Sequence, residues 1–305
     1  MSDLKIMVGV AVGRSYEPDF IHSLYNGLLK MPNVTFYPKV GDALIERSRS
    51  VIATYFLEQT DCDILLTMDT DTLMYVDDSL KLCEQAVDYD MVAAMYVTRN
   101  RDRCAPASFL GREPIVFAND HTPVEIVWAA TGALATHRRV FEQLLAKDAD
   151  GFWRDEYPNR PMFPLTHKQS SGLRCYPFYE TFCIPNPDDP TPEPEKDWIW
   201  LSEDYAMCQR AKEVGFKVYL NPAVRTSHLG TWAYRLEDMA QKPFPEQEIR
   251  LTRFPGVIPK YRAEFDDPEA RVGPVETTEA PTHDMKEQQR IVESVARQMA
   301  EEVPV

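Results

Sequence analysis

The segment DILLTMDTD, Asp63–Asp71, restricts the fold of this chain more than any other stretch. Its run ILLTM has the length of a strand and is apolar almost throughout, which is typical of a strand buried on both faces of a parallel sheet. Asp69 and Asp71 follow at the carboxyl end of that strand, the edge where open α/β sheets bind ligands. Two carboxylates that close repel by roughly 4 kcal/mol at about 4 Å and an effective dielectric of about 20, unless a cation lies between them. The pair therefore indicates a site for Mg²⁺ or Mn²⁺.

The same aspartates also have a simpler interpretation, as part of an Asp-rich turn that caps the next helix. Asp77 and Asp78 follow within a few residues, at the predicted start of that helix. For an isolated D-x-D this simpler interpretation is favoured. The other segments of the chain therefore decide between a metal site and a turn.

Apolar segments on both sides of this strand alternate between strand and helix patterns. Further strands are predicted at Leu4–Val12, Val34–Val40 and Met91–Val97. Apolar residues at helical spacing predict helices over residues 20–29, over Gly41–Gln59 and near Ser79–Val87. Strands and helices in this rhythm, joined by right-handed crossovers, build a doubly wound parallel sheet, so the fold class is α/β.

Further along the chain the rhythm changes. The short runs APASFL, PIVFA and PVEIVWAA predict an antiparallel hairpin or an edge ribbon on the sheet. Thr131–Lys147 predicts a glycine-containing turn that leads into a helix. Residues 148–200 are rich in proline and aromatic residues without periodicity, which predicts a long loop over the site. Leu201–Gly215 predicts a helix with Ser202 as its N-cap, and Val224–Tyr234 predicts a loop after the next strand.

The sequence predicts one folded domain and a tail. The domain is expected at residues 1–262, and residues 263–305 are expected to form an acidic linker and a C-terminal helix. That helix, over Met285–Glu302, has valine, alanine and methionine side chains on one side. It is a candidate subunit contact for a homo-oligomer, or else a frayed tail.

Composition excludes several functional classes. The chain has 305 residues and a net charge of −15, which argues against binding of a nucleic-acid backbone. The sequence has no apolar run of about 18 residues and no signal-peptide pattern at its start, so we expect no transmembrane segment and a cytoplasmic location. Its six cysteines include no C-x-x-C pair, which favours reduced thiols over a zinc site or a disulfide framework.

Three polar features stand in a fixed order along the chain: the pair Asp69 and Asp71, the pair Glu203 and Asp204 at a helix start, and His228 after the next strand. Together with the segment ATGALATHRRVF between the first two, this order resembles the GT-A glycosyltransferases, in particular the family 2-like group of bacterial and bacteriophage type. The resemblance covers roughly residues 4–235. It implies a GT-A, Rossmann-like fold with a mostly parallel central sheet flanked by helices.

The resemblance implies a metal-dependent transfer of a sugar from a nucleoside-diphosphate sugar, taken as a UDP-sugar, to an acceptor hydroxyl of a protein or glycan. A divalent cation, Mn²⁺ or Mg²⁺, would stabilise the charge on the departing diphosphate. Asp71 would bind the ion directly, and Asp69 would contact the ribose and the ion. His228 would supply a nitrogen ligand, which Mn²⁺ accepts better than Mg²⁺ does. A histidine in a loop is otherwise simply an exposed residue.

Asp204 is the candidate general base, because an acceptor hydroxyl must lose its proton during attack and a positioned carboxylate contributes about 10²–10⁴-fold. Glu203 would orient the acceptor or support the turn. Acids in the first turn of a helix are, however, also favoured by the helix macrodipole alone.

Five further residues are candidate contacts of the donor. Val10, Ala11 and Val12 end the first predicted strand and would line the pocket of the nucleotide base, although apolar strand residues need no such role. Arg49 would face the diphosphate or the uracil, or else be a solvated helix charge. Gly132 would let the backbone approach a substrate, or simply make a tight turn.

The sequence departs from the family pattern at two places and leaves two other functions open. Ser50 stands where such sequences often have asparagine, and the aromatic stretch before Glu203 has no fixed counterpart, so the acceptor cannot be inherited. The run MDTDT also matches the D-x-D-x-T motif of haloacid-dehalogenase phosphatases, in which Asp69 would be the nucleophile. A GT-A-like domain that binds a sugar nucleotide without catalysis is the third alternative.

Overall fold

A computed structural model of the chain describes residues 4–99, 106–111, 115–117, 120–145, 165–166, 174–186, 198–230, 233–235, 249–254 and 260–265. The chain divides into two compact units, Met1–Asp266 and Asp267–Val305, and all described residues belong to the first. The predicted helix Met285–Glu302 lies outside the described residues. In the part of the chain that is described, no helix combines the length and the apolar character needed to cross a membrane.

The described residues form five α-helices, one 3₁₀ turn and sixteen short or medium strands. The helices are α1 (Pro18–Asn26), α2 (Ile45–Gln59), α3 (Val76–Tyr89), α4 (Arg138–Leu144) and α5 (Glu203–Glu213), and the 3₁₀ turn is Leu28–Lys30. The first eight strands are β1 (Ile6–Val12), β2 (Val34–Val40), β3 (Ile64–Asp69), β4 (Thr72–Met74), β5 (Met91–Met95), β6 (Ile115–Phe117), β7 (Val124–Ile126) and β8 (Ala133–His137). The others are β9 (Leu165–Thr166), β10 (Arg174–Cys175), β11 (Phe182–Pro185), β12 (Trp198–Leu201), β13 (Val218–Leu229), β14 (Ala233–Tyr234), β15 (Ile249–Phe254) and β16 (Lys260–Phe265).

A mixed central sheet organises these elements. Its strand order is β14-β13-β5-β8-β3-β1-β2, and β4 and β7 also pair with β13. β1 pairs in parallel with both β2 and β3, and β5 pairs in parallel with β13. β8 lies between β3 and β5 and runs antiparallel to both. The fold class predicted from the sequence is therefore confirmed: an α/β protein with a mostly parallel sheet flanked by helices and smaller antiparallel pairs.

Alternating residues of the central strands belong to two hydrophobic clusters, one on each face of the sheet, because successive side chains of a strand point to opposite faces. On one face, Val8 and Leu66 pack in a cluster with Phe20 of α1 and Leu82 of α3. On the other face, Leu65 packs in a cluster with residues of α2, α4 and α5. Both faces of the sheet are covered, which explains why the central strands are almost uniformly apolar.

Helix α2 packs unusually close to β1. A Cβ atom added to Gly9 would lie 2.4 Å from the Cγ2 atom of Ile52, so only glycine at this position lets the helix contact the sheet at this distance. The close contact fixes α2, and with it Arg49, against the carboxyl half of β1 and β3.

Two sequence predictions on this part of the chain are wrong. Ala133–His137 is strand β8 and not part of a turn and helix, because its small apolar residues fill the gap between β3 and β5. Val224–Leu229 is strand and not loop, because after a bulge it pairs with β4, which the sequence analysis did not identify. β7 pairs antiparallel with β13 of the central sheet, in agreement with the predicted edge ribbon, whereas β6 pairs with β15, so β6 and β7 do not form a hairpin with each other.

The predicted boundary between residues 262 and 263 falls inside β16. This strand pairs antiparallel with β15, which also pairs with β6. The Pro- and aromatic-rich stretch 148–200 contains β9, β10, β11 and the start of β12. The rest of that stretch lies largely outside the described residues, so its role as a loop over the site stays a prediction.

Arg138 closes the carboxyl end of α2. Its guanidinium donates hydrogen bonds to the carbonyl oxygens of Phe56, Leu57, Thr60 and Cys62 at 2.7–3.0 Å, and it lies 4.6 Å from the centre of the Phe56 ring. The last carbonyl groups of a helix have no partner within the helix. One cation therefore satisfies several of them and connects α2 to the start of α4.

We expect Arg138→Met to lower the free energy of unfolding by about 2–4 kcal/mol, because several half-buried carbonyl oxygens lose their donor at once. Urea denaturation measures the change. The neighbouring Arg139→Met is the matched control, since Arg139 is exposed and pairs with Asp90 at the surface, where an ion pair contributes about 0–1 kcal/mol. Equal losses in both variants would contradict the capping role.

Candidate functional site

The candidate site lies where the order of the sheet reverses. The chain passes from β1 to β2 on one side and then returns to β3 on the other side. In open α/β sheets the carboxyl ends of strands at such a switch point form the crevice that binds ligands. Asp69 is the last residue of β3, opposite Ala11 of β1, and Asp71 follows after one further residue.

Strand pairing places His228 beside Asp71. β13 pairs antiparallel with β4, and this ladder sets His228 opposite Thr72. The backbone N–H of Leu229 donates to the carbonyl oxygen of Asp71 at 2.6 Å, and Nε2 of His228 lies 3.5 Å from Oδ2 of Asp71. The histidine and the second aspartate of the D-x-D pair, separated by more than 150 residues, are therefore in contact.

The hydrogen bonds of His228 determine which of its ring nitrogens carries the proton and which one faces the Asp71 carboxylate without a proton. Nδ1 lies 2.8 Å from the carbonyl oxygen of Val97, and a carbonyl oxygen only accepts, so Nδ1 carries the proton. The lone pair of neutral Nε2 then points toward the Asp71 carboxylate, which is also an acceptor. The guanidinium of Arg99 already contacts the same Oδ2 of Asp71 at 2.8 Å, and a second proton on the ring or a metal ion between Nε2 and Oδ2 would relieve the remaining repulsion of the two acceptors.

The donor set fits a divalent metal ion. A carboxylate and an imidazole whose Nδ1–H is held by a carbonyl form a common ligand arrangement, because that second hydrogen bond fixes the tautomer. Neighbouring ligands of an octahedral ion with bonds of about 2.1 Å lie about 3 Å apart, and the 3.5 Å separation of Nε2 and Oδ2 is close to this. Within the described ranges, no group of three or more histidine, cysteine or acidic side chains is close enough to bind an ion. Asp71 and His228 form a pair of donors, and further ligands would come from a substrate or water.

Asp71 is held as a carboxylate by its surroundings. Burial raises its pKa, but the contacts with His228 and Arg99 outweigh this effect, so the pKa lies below its usual value. The guanidinium of Arg99 lies 2.8 Å from Oδ2 of Asp71 and also donates to the carbonyl oxygen of Leu229 at 3.1 Å. About half of the Arg99 side chain is exposed, so it is accessible to an anionic ligand.

Arg49 connects the other aspartate of the pair to helix α5. Its guanidinium lies 2.6 Å from Oδ1 of Asp69 and 2.5 Å from Oε1 of Glu203, and only 6% of its side chain is exposed. Burial lowers the pKa of Arg49, but the two carboxylates outweigh burial and raise it, so the side chain stays charged. The possibility that Arg49 is a solvated helix charge is thereby ruled out.

The Arg49 contacts follow from the alternation of β3. Asp69 lies on the same face of that strand as Leu65, the face covered by α2 and α5. Burial raises the pKa of Glu203, while Arg49 opposes this shift. The arginine thus holds both carboxylates in one place. Its buried guanidinium is occupied by these two ion pairs, which leaves little of it to contact the predicted diphosphate or uracil.

Asp204 lies in the first turn of α5, beside Glu203. Its carboxylate accepts a hydrogen bond from the Ser202 hydroxyl and another from the N–H of Tyr205 at 2.8 Å. Ser202 is the N-cap residue, as predicted, but its side chain makes no cap hydrogen bond to the helix backbone. The hydroxyl instead orients Asp204, and the residue is only partly buried, so solvent or a substrate can reach it.

Gly132 allows Tyr96 to pack against the β8 backbone. A Cβ atom at this position would lie 2.6 Å from the Tyr96 ring, and the Gly132 N–H donates to the Tyr96 hydroxyl at 3.3 Å. Tyr96 in turn contacts the His228 ring edge to face, with centroids 5.2 Å apart. Gly132 therefore serves the packing behind His228, and this close contact explains the glycine without a substrate.

Of the three candidate residues at the end of β1, two are buried in the core and one lies next to the candidate site. Val10 and Val12 are 0% and 2% exposed and belong to the cluster that includes Phe20. Their burial argues against the predicted role in lining a nucleotide-base pocket, because their side chains point to the face opposite Asp69. Ala11 is half-buried and lies opposite Asp69 in the β1–β3 register, so of the three only Ala11 remains a candidate contact.

The sequence analysis missed Arg99 and Tyr96. Both follow strand β5, Met91–Met95, whose carboxyl end lies at the same sheet edge as Asp69. A position just after a predicted strand was therefore the signal that could have indicated them. Ser50, noted as a departure from the family pattern, accepts a hydrogen bond from the N–H of Tyr179 at 3.1 Å. Ser50 thus contacts the segment 174–186, and this hydrogen bond explains a small hydroxyl side chain at position 50.

Comparison with known proteins gives only distant likenesses. Neither a protein-family model nor a curated protein sequence matches the chain. Among solved structures, A197 from STIV aligns with a TM-score of 0.45 and 13% identity over 74% of this chain and 86% of A197. GalNAc-T7, solved with UDP, GalNAc and Mn²⁺, aligns with a TM-score of 0.41 and 12% identity over 77% of this chain and 45% of GalNAc-T7. Likenesses of this strength do not assign a function.

We expect Arg49→Met to lower the free energy of unfolding by about 3–5 kcal/mol, because it leaves two carboxylates close together without their shared cation. Chemical denaturation measures the loss. Adding Asp69→Asn and Glu203→Gln to Arg49→Met removes the stranded charges and should restore much of the stability. A triple variant as unstable as the single one would show that packing, and not charge, determines the effect.

Proposed function

We propose that this chain is a metal-dependent glycosyltransferase of the GT-A type, which transfers a sugar from a nucleoside-diphosphate sugar to an acceptor hydroxyl. The observation that carries the proposal is the contact of Asp71 with Nε2 of His228 at the switch-point edge of the sheet. It supports a cation site where the diphosphate of a donor would bind.

In this proposal Asp71 and His228 hold a divalent ion, Mn²⁺ or Mg²⁺, which when bound neutralises charge on the diphosphate. Arg99 lies beside Asp71 with half of its side chain exposed and would contact the same phosphate oxygens. Asp69 has one oxygen held by Arg49, which leaves its other oxygen for the ribose or for water on the ion. Ala11 lies across from Asp69 and would contact the nucleotide.

Asp204 is the proposed general base. The acceptor oxygen would form a bond to the anomeric carbon as the bond from that carbon to the diphosphate breaks. The hydroxyl proton would pass to Asp204, and the nucleoside diphosphate would leave with the bonding electrons. Ser202 holds the Asp204 carboxylate in place, and Glu203, paired with Arg49, connects the base to the donor side. A single base that takes the acceptor proton in this way fits inversion of configuration at the anomeric carbon.

The finer features belong to the same proposal. The order of the D-x-D, E-D and histidine segments supports a family 2-like enzyme of bacterial or bacteriophage type. A UDP-sugar as donor and a cytoplasmic location are parts of the proposal that do not follow from that order. A phosphatase of the haloacid-dehalogenase type is disfavoured, because the D-x-D-x-T motif of those enzymes ends the first strand of the core, whereas β1 and β2 precede the strand that ends in Asp69.

Asp71→Ala should abolish the Mn²⁺-dependent part of UDP binding, and His228→Ala should weaken it at least about tenfold, since each removes one of two protein ligands. Calorimetric titration with UDP, with Mn²⁺ and with chelator, measures both. Asp77→Ala is the matched control, because Asp77 is an exposed acid in the first turn of α3. Wild-type protein that binds UDP equally with and without metal would overturn the metal site.

Asp204→Asn should lower turnover at least about 10²-fold while UDP affinity stays unchanged, because an amide cannot accept the acceptor proton but keeps the shape of the side chain. Release of UDP from a UDP-sugar in the presence of acceptor measures turnover. Ser202→Ala, which removes only the hydrogen bond to Asp204, should produce a smaller decrease. Near-normal turnover of Asp204→Asn would exclude it as the base.

A further inference from the structure

The ribbon β11–β12 carries an exposed aromatic face directly before the candidate base. Trp198 and Trp200 are 50% and 75% exposed, whereas Leu201 is fully buried and Ile199 packs on the core. The alternation of a strand thus separates the two kinds of side chain cleanly. Large aromatic side chains exposed in a row are unusual in a soluble domain and indicate a binding surface.

The second strand of the ribbon continues this face. Trp200 lies opposite Cys183 and Trp198 lies opposite Pro185 in the antiparallel register, and directly opposite residues share a face. Cys183 and Pro185 are both exposed, while Ile184 between them is buried. The outer face therefore consists of two indole rings flanked by two small side chains.

The same face leads to Asp204. Alternation along extended backbone puts Ser202 on the side of Trp198 and Trp200, and Ser202 has extended backbone angles. Its hydroxyl donates to the Asp204 carboxylate. The Cα atoms of Trp200 and Asp204 are four residues apart and therefore at most about 14 Å from each other, a span that two or three linked sugar rings could cover.

We propose that this ribbon, residues 182–185 and 198–201, is the acceptor subsite and that the acceptor is a carbohydrate. The inference rests on the proposed function and names its second substrate class. A sugar ring presents C–H groups on its flat face, which suit the indole surfaces, and hydroxyl groups at its edge, which suit Asp204. Stacking on Trp200 would hold the acceptor so that one hydroxyl faces the base.

The size of the face argues for a sugar over a protein partner. Two tryptophans offer at most about 500 Å² of contact area even when fully covered. A stable protein partner covers about 800 Å² on each side. A face this narrow, bordered by the polar side chains of Ser202 and Asp204, matches a chain of sugar rings better than a folded protein.

The test uses the full chain on an array of immobilised oligosaccharides built from hexoses and hexosamines, beside an array of unmodified peptides. Wild-type protein should bind a subset of the glycans. Trp200→Ala should weaken that binding at least about tenfold, and Trp200→Phe should keep most of it. Tyr25→Ala is the matched control, since Tyr25 is a 57% exposed aromatic on α1, and it should change nothing.

Calorimetric titration with UDP and Mn²⁺ is run on the same proteins and separates the two proposals. Intact UDP binding together with glycan binding that is lost in Trp200→Ala supports the acceptor subsite. Three outcomes with intact UDP binding would overturn the carbohydrate inference and leave the donor site unaffected. In the first, no glycan binds; in the second, glycans bind equally well to wild type and Trp200→Ala. In the third, the protein binds peptides or transfers sugar to them instead. Glycan binding without any UDP binding overturns the acceptor role, because the face would then be a lectin-like surface and the proposed function would fail separately.

Discussion

The buried guanidinium of Arg49 is the interaction on which the candidate site depends. It pairs with Asp69 at the end of β3 and with Glu203 at the start of α5, two segments that lie far apart in the chain. Charged groups are buried at a cost of several kcal/mol each unless they are paired, so the three side chains can be buried only together. This requirement places the start of helix α5 against the end of strand β3, and Asp204, the next residue after Glu203, therefore lies beside the paired carboxylates.

A second requirement orients the metal side of the site. His228 lies on β13, which pairs with β5 and β7 in its first part and with β4 and β14 toward its end. The carbonyl oxygen of Val97 fixes the imidazole tautomer, and the ring of Tyr96 supports it from the side, where only glycine at position 132 leaves enough space. The hydrogen-bond pattern and the packing thus agree on a single orientation, with Nε2 toward Asp71.

Much of the fold could be predicted from the sequence, because uninterrupted apolar runs such as ILLTM indicate strands covered on both faces. β8 could not, since ALATH contains small residues that form a strand only because β3 and β5 supply partners on both sides. Contacts within the site were also partly predictable. The sequence order indicated Asp71 and His228, but the ion pair of Arg49 with Glu203 depends on tertiary packing, and the burial of Val10 and Val12 depends on which face of β1 points to α1.

The bulge in β13 between Asn221 and Arg225 has a consequence for how this chain can vary. Upstream of the bulge β13 is aligned with β5, and downstream of it β13 is aligned with β4. The number of residues between these two ladders therefore determines to which face of the sheet each later side chain of β13 points. Inserting or deleting a single residue there would rotate the following strand by one position and turn the imidazole of His228 away from Asp71. The segment NPAV therefore acts as a spacer of fixed length, in which residue identity can change more freely than residue number.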